Sequence, residues 1–526
     1  MRVLVFHGYL LGGTGSNVYN ARLAAALVSQ GHEVHLLCQD RHPERQVFVD
    51  AIGEWDEGVL RVCALRERSD ERSGGCTVYR PDIGGLLPVY VADRYEGIRA
   101  RTFAECSDEE LAHYVDANVS AVTELVERVE PQVALANHLL MGPAILARAL
   151  AGGVPYAVKV HGSALEYTVK PHPERFLPFA REGLADAKGV LVGSHHTAAS
   201  LWRVLDDESV RRRTRLGPPG VDIERFAPRE TAHAAAGLAG LAMRLRDHGD
   251  EPEQSAGDAF ARDERAAGEA LARLDPTGDR LVAFVGKLIV SKGVDLLLAA
   301  WPLVLERVPT ARLVVVGFGA YRDGLEDLRA ALAAGDLERA KAIARAGRSL
   351  EDDSAEARPL VHLLGFLDGL AGHALASYLD AASSLDDRVV MTGRLEHEEL
   401  ADLLPACEAL VVPSTFPEAF GMVAAEAAAC GVLPVSAAHS GLAEVSQALA
   451  QAVPENVGDL LSFAVDDGAV QALAACLVGW LRAAPEDRAA AQVGLVETVR
   501  ERWSWEGVAR GVIAAARGEL DDLQAP

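Results

Sequence analysis

The sequence predicts an α/β fold made of two doubly wound parallel sheets, and three observations lead there. The chain has 526 residues, too many for one hydrophobic core of ordinary size, so two or more domains are expected. Short β-branched apolar runs alternate with helix-forming segments in both halves, the pattern of strand–loop–helix units. Glycine-rich or charged loops follow several of these runs, and open parallel sheets bind ligands just past their strand ends.

The clearest unit lies late in the chain. Ala409-Leu410-Val411-Val412 reads as a buried strand, Pro413 to Gly421 as a loop, and the Ala-rich stretch ending at Gly431 as a helix. Glu418 then falls in the loop and Glu426 in the opening turns of the helix, with the helix N-terminus at Phe420-Gly421-Met422 between them. Free N–H groups and the positive end of the helix dipole suit a phosphate, and carboxylates accept hydroxyl hydrogen bonds from a sugar or ribose. A place that wants phosphate and polyol together points to a nucleotide sugar.

The N-terminal half opens in the same style. Val3 to Phe6 reads as a strand, His7 to Gly15 as a glycine-rich turn, Asn17 to Gln30 as a helix and Val34 to Cys38 as the second strand. Gly13-Thr14-Gly15-Ser16-Asn17-Val18 lacks the third glycine of a dinucleotide fingerprint, and no Lys-Ser or Lys-Thr makes it a P-loop. Residues 41–110 read as irregular, a place for acceptor loops. Ser107 caps a helix to Val129. Strands follow at Val133–Ala136, Tyr156–Val160 and Gly189–Gly193, the first two ending in Asn137-His138 and His161-Gly162. Arg211-Arg212-Arg213-Thr214-Arg215 reads as a solvated helix end.

Residues 229–279 form an Ala-rich, acidic, glycine-interrupted segment, read as an inserted helical or partly disordered piece. Leu281–Val285 starts the second strand series, followed by Gly286-Lys287 and Ser291-Lys292-Gly293 and a helix to Glu306. Leu288 after the first lysine excludes a Walker A loop. Arg312–Val316 is the next strand, residues 331–385 a helical insertion, Val389–Thr392 a strand ending in Gly393-Arg394-Leu395, and His397–Leu404 a helix.

Pro413-Ser414 through Glu418-Ala419-Phe420-Gly421 to Glu426 resembles the donor-binding motif of the family 4 glycosyltransferases, retaining enzymes of the GT-B fold. The Gly-Lys…Lys-Gly loop at 286–293, His161-Gly162, Pro218-Pro219-Gly220-Val221-Asp222, Ser440-Gly441 to Glu444 and Trp503-Ser504-Trp505 resemble its other landmarks in the same order. The resemblance implies two Rossmann-like domains facing a central cleft, with helical insertions. The first spans 1–228 with a last helix at 506–520 packing back on it; the second spans 280–505. It implies sugar transfer from a UDP- or GDP-sugar to a hydroxyl with retention of configuration, the leaving phosphate taking the acceptor proton. Lys287 and Lys292 would hold the diphosphate, Glu418 the sugar, Glu426 the ribose, and Arg394 and Leu395 the base. Gly12 and Gly13 would let the backbone approach the donor, and His161, or less directly His138, would bind the transferred sugar. Phe420, Gly421 and Met422 supply the helix N-terminus. The chain departs from the family at Lys287, where Arg is usual, at Pro219 for Asn, and at Ser440 for Gly.

No cofactor and no metal are expected, since two lysines and a helix dipole supply the positive charge; the nucleotide sugar is a substrate. The alternatives are another GT-B enzyme, an epimerase or phosphorylase, or a non-catalytic nucleotide-sugar-binding protein. With 51 Lys and Arg against 76 Asp and Glu, the net charge of −25 argues against nucleic acid as a partner. Seven scattered cysteines form no Cys-x-x-Cys pair, so neither a disulfide framework nor a zinc site is expected. The N-terminus lacks a signal-peptide pattern and no apolar run approaches the ~20 residues of a membrane span, which predicts a cytoplasmic protein and leaves peripheral membrane contact open. The acceptor and the oligomeric state are not encoded in any motif.

Overall fold

The computed structural model describes residues 1–66, 74–90, 99–248, 262–351 and 357–526. The chain divides into two compact units, one of residues 1–220 with 503–526 and one of 221–502.

Among the described residues the N-terminal unit has eleven strands: β1 Arg2–Phe6, β2 Glu33–Leu37, β3 Val49–Asp56, β4 Val59–Ala64, β5 Gly75–Arg80, β6 Leu86–Val89, β7 Arg99–Thr102, β8 Val133–Asn137, β9 Tyr156–Val160, β10 Gly189–Val192 and β11 Thr214–Leu216. Nine of them form one sheet in the order β11-β10-β9-β8-β1-β2-β5-β3-β4, and β6 and β7 pair separately. All the pairings in this unit are parallel except β3 with β4. A parallel sheet covered on both faces reads as a near-continuous apolar run, and Arg2–Phe6 shows why. Leu4 and Phe6 enter one core, with residues of helices Asp108–Val129, Gly142–Leu150 and Pro173–Ala185; Val3 and Val5 enter the other. That second face is covered by Gly15–Ser29 and by the C-terminal helix Trp505–Arg517, whose Ala509, Val512 and Ala516 are buried there. Ser107 caps its helix with a complete capping box, Glu110 reaching back to the Ser107 N–H.

Two readings of this half need correction. Residues 41–110 are not irregular, because β3 to β7 lie there. The arginine run is only partly a solvated helix end. Arg213 donates to the carbonyls of Leu184 and Ser209, each at 3.1 Å, and Arg215 Nε to that of Leu520 at 2.8 Å, so both tie chain segments together.

The second unit holds six parallel strands, β12 Arg280–Val285, β13 Ala311–Val316, β14 Val389–Gly393, β15 Ala409–Val412, β16 Leu433–Ala437 and β17 Ser462–Phe463, in the order β14-β13-β12-β15-β16-β17. Strand order therefore reverses between β12 and β15. In the first unit it reverses between β1 and β8. The Ala-rich segment contributes helices Thr231–His248 and Glu264–Leu271, which pack on each other. Asp402 accepts Arg229 at 2.8 Å and Arg244 at 2.6 Å, and Glu399 accepts both Arg262 nitrogens at 3.0 Å, which anchors the segment within its unit. Residues 249–261 of the 229–279 segment, read from sequence as helical or partly disordered, lie outside the described residues. The helix expected at His397–Leu404 is only Leu400–Leu403, with Leu404–Ala406 as a tighter turn; His397 precedes it in a loop.

Candidate active site

In open α/β sheets the ligand crevice lies outside the carboxyl ends of the strands where their order reverses. In the second unit that place is the gap between β12 and β15, and the two loops leaving these strands carry Lys287, Lys292, Glu418, Phe420 and Gly421 of the residues singled out by sequence.

After β12 the chain runs through Lys287 to a single tight turn, Val290–Lys292, closed by Gly293 at φ +66°. After β15 it runs through Ser414 and Thr415 to Glu418. The loops are joined directly: Thr415 N–H donates to Ser291 O at 2.9 Å, and Lys292 Nζ is ion-paired with the Glu418 carboxylate. Ser414 Oγ donates to the same carboxylate oxygen at 2.7 Å. Burial by itself would raise the Glu418 pKa, but the Lys292 charge and hydrogen bond, then Ser414 and His439, outweigh it and hold the carboxyl below its usual range. A carboxylate so held is a weak base and a ready acceptor for hydroxyl hydrogen bonds.

Behind it, helix Met422–Ala429 starts at Gly421, φ +111°, with no side chain capping its first N–H groups. Any Cβ at Gly421 would lie 2.5 Å from Leu442 Cδ2. Phe420 is buried. Glu426 lies on this helix, only 2% exposed, with one oxygen 2.7 Å from His397 Nε2. Lys287, after β12, and Arg394, after β14, approach the Phe318 ring, which follows β13: Nζ lies 5.9 Å and the guanidinium carbon 5.7 Å from its centroid. Arg394 also pairs with Glu396 at 2.7 Å, and the Leu395 side chain is buried.

The site residues thus form three local groups: Lys292 with Glu418, Lys287 with Arg394 around Phe318, and Glu426 with His397. Several members were not found by sequence. His397 is the partner of Glu426 and packs on Phe226 with ring centroids 5.1 Å apart. Glu351, from the insertion between β13 and β14, accepts the Val290 N–H at 2.5 Å and so fixes the start of the Lys292 turn. The Gly317-Phe318-Gly319 loop is a packing device, since a Cβ at Gly317 would lie 2.0 Å from Gly286 O.

The switch point of the N-terminal unit gathers histidines. His7 directly follows β1, His138 directly follows β8, and His161 directly follows β9. Ring centroids are 5.8 Å apart for His7 and His138 and 4.9 Å for His138 and His161. His7, passed over as part of a turn, is locked into one tautomer. Its Nε2–H faces Leu10 O at 2.9 Å and Asn17 Oδ1 at 3.0 Å, and Asn20 Nδ2 donates to Nδ1 at 3.0 Å. His161 Nε2–H donates to Asn137 Oδ1 at 3.1 Å, which leaves Nδ1 as the acceptor of a neutral ring. Burial, then the neighbouring His138, Lys159 and His7, pushes the His161 pKa well down. His138 is buried at φ +67° with neither ring nitrogen partnered. Lys159, also buried, has its pKa pushed down to about 7 by desolvation and donates to Gly217 O. In the glycine-rich turn Asn17 Nδ2 holds Gly12 O at 2.7 Å and Gly13 has φ +87°. A Cβ at Gly12 would meet no protein atom within 4 Å. Among the described residues no group of three or more His, Cys, Asp or Glu is arranged to hold a metal ion. All seven cysteines are free thiols, and no described helix is long and apolar enough to cross a membrane.

The histidines give a signed pH prediction. Burial lowers the His7 pKa from 6.5 to about 4, so between these values the unfolded state binds more protons than the folded one. His7 thus costs nothing above pH 6.5 and destabilises the N-terminal unit progressively as pH falls toward 4. From pH 7 to pH 5 it is expected to remove about 2 kcal/mol, and His7→Asn to flatten that slope in urea unfolding. Asp295 in the second unit runs the other way: burial raises its pKa from 3.8 to about 7, so its cost is relieved as pH falls through that window.

Comparison with known proteins now adds the family. Residues 14–220 match the glycosyl transferase 4-like domain, and residues 360–460 match the glycosyl transferases group 1. A D-inositol 3-phosphate glycosyltransferase of Frankia alni is 26% identical over 515 residues, covering 96% of this chain and 95% of that one. Another of that description, from Segniliparus rotundus, is 32% identical over 50% of this chain but only 44% of its own length. A GDP-mannose-dependent alpha-(1-6)-phosphatidylinositol monomannoside mannosyltransferase of Mycolicibacterium smegmatis is 26% identical over 71% of this chain and 72% of that one. Among solved structures, a sucrose-phosphate synthase from Thermosynechococcus elongatus superimposes with TM-score 0.56 at 20% identity, covering 98% of each chain, a likeness of fold. Anabaena Alr3699/HepE in complex with UDP and glucose gives 0.55 at 15% identity, covering 98% of this chain and 99% of that one. With two Rossmann-like sheets and both family models matched in order, the chain belongs to the family 4, group 1 glycosyltransferases and has the GT-B fold.

Proposed function

We propose that this glycosyltransferase takes a UDP- or GDP-sugar as donor, held mainly by residues 221–502, and transfers the sugar to a hydroxyl with retention of configuration. The Lys292–Glu418 pair at the reversal of strand order carries this reading. It places a cation for a phosphate and a carboxylate for sugar hydroxyls side by side, before an uncapped helix N-terminus. As the bond to the leaving diphosphate breaks, negative charge grows on its oxygens. Lys292, Lys287 and the N–H groups of Met422 and its neighbours stabilise that charge. Glu418 accepts hydrogen bonds from the sugar, and the leaving phosphate takes the acceptor proton. Glu426, oriented by His397, takes the ribose, and the backbone at Arg394-Leu395 takes the base. In residues 1–220, neutral His161 offers Nδ1 as an acceptor for a hydroxyl, with His138 beside it, and Gly12 leaves open space next to the backbone. No metal is required, the charge being met by lysines and the helix dipole.

A thermal-shift and donor-release panel of UDP-, GDP- and ADP-sugars, run in EDTA, tests this. Stabilisation by one nucleotide, with slow release of that nucleotide from its sugar, is the expected result. Stabilisation without release would move the assignment to a non-catalytic nucleotide-sugar-binding protein, and no response to any member would move it to a phosphorylase.

A further inference from the structure

At Ser440-Gly441 the chain departs from the family's Gly-Gly pair in its first residue, and the departure is wired to Glu418. Ser440 stands at φ +54°, a conformation that costs a non-glycine residue energy. Its side chain has a specific use there. Glu418 N–H donates to Ser440 Oγ at 2.9 Å, Ser440 Oγ lies 3.0 Å from His439 Nδ1, and His439 Nε2 lies 2.7 Å from Ser414 O. Ser414 Oγ then donates back to Glu418 Oε1 at 2.7 Å. Each hydrogen has one direction that closes the ring: Ser440 O–H to Nδ1, Nε2–H to the Ser414 carbonyl, Ser414 O–H to the carboxylate. Gly441 N–H adds a bond to Glu418 O at 2.9 Å. Glu418 is thereby held at its amide, its carbonyl and its carboxylate, on a loop without regular secondary structure.

We propose that Ser440 and His439 are positioning residues, holding the Glu418 carboxylate on Lys292 and toward the donor sugar. This rests on the reading that Glu418 meets the sugar. A strained serine in place of glycine makes sense where its hydroxyl does what glycine cannot.

Ser440→Gly separates the roles, because it relieves the backbone while removing the hydroxymethyl group and the hydrogen bonds its oxygen makes. Two readouts are taken: nucleotide release from UDP-glucose and GDP-mannose, and the rate at which Lys292 is acetylated by an N-hydroxysuccinimide ester, read by mass spectrometry. Glu418→Gln sets the limit for loss of the Glu418 charge beside Lys292. Ser440→Gly is expected to keep or raise the melting temperature, to lower kcat about ten-fold with UDP and GDP affinity unchanged, and to speed Lys292 acetylation at least about two-fold. Wild-type acetylation and wild-type release in Ser440→Gly, with both altered in Glu418→Gln, would overturn the positioning role alone. Wild-type values in Glu418→Gln as well would overturn the role of Glu418 itself. If neither donor is turned over, the acetylation rates decide.

Discussion

Lys292→Ala is expected to lower donor turnover by about 10²–10³-fold, the range seen when one preorganised group facing developing charge is removed. The loss should fall on kcat more than on KM, because charge on the diphosphate grows as the sugar leaves. Glu418→Ala should be as damaging for a different reason, since it leaves the sugar hydroxyls without an acceptor. The two side chains form one ion pair, so their effects should not add. The double variant is expected to be little worse than the poorer single one, whereas independent roles would multiply the losses. Steady-state donor release by the four proteins, with melting temperatures as a check on folding, completes the cycle.

Gly293→Ala should act on the backbone beneath the same pair. Gly293 has φ +66°, and a Cβ there would lie 2.1 Å from the carbonyl oxygen of Pro413, far inside contact distance. The obstacle is backbone, so no rotamer change relieves it. The loops after β12 and β15 must part, which undoes both the Thr415-to-Ser291 bond and the Lys292–Glu418 pair. A left-handed alanine costs about 1 kcal/mol before any clash, so a loss of ~3 kcal/mol or more is expected, with activity lost alongside. Gly365→Ala makes the control: its Cβ would meet nothing within 4 Å, and it should leave both stability and turnover near wild type. Equal behaviour of the two variants would show that the loops tolerate separation.

Strands buried on both faces were legible because burial leaves them few polar positions; β1, β8, β12, β13 and β15 appear as short, mostly apolar runs, and β9 is interrupted only by Lys159. The β3–β4 hairpin was not, because β4 is an edge strand with a mostly exposed pattern and carries Arg61 and Cys63 among its valines. A signal was present in Glu57-Gly58, which both adopt left-handed backbone, φ 51° and 79°, as a two-residue hairpin turn requires. Glu418 and Glu426 were legible from their spacing and the helix start between them. Their partners were not. His397 reaches Glu426 across 29 positions, Ser440 reaches Glu418 across 22, and Glu351 reaches Val290 across 61, through a loop order that only the sheet topology fixes. His7 was hidden for a related reason, as the Asn17 and Asn20 that lock it look like ordinary residues of a helix start.

Calorimetric binding of UDP and GDP, and of uridine and guanosine, to the wild type, Lys287→Ala and Lys292→Ala tests most directly whether the lysines beyond β12 hold the donor diphosphate. Either substitution should weaken the preferred diphosphate by about ten-fold or more while leaving its nucleoside unchanged. Diphosphate binding as tight in both variants as in the wild type would contradict it.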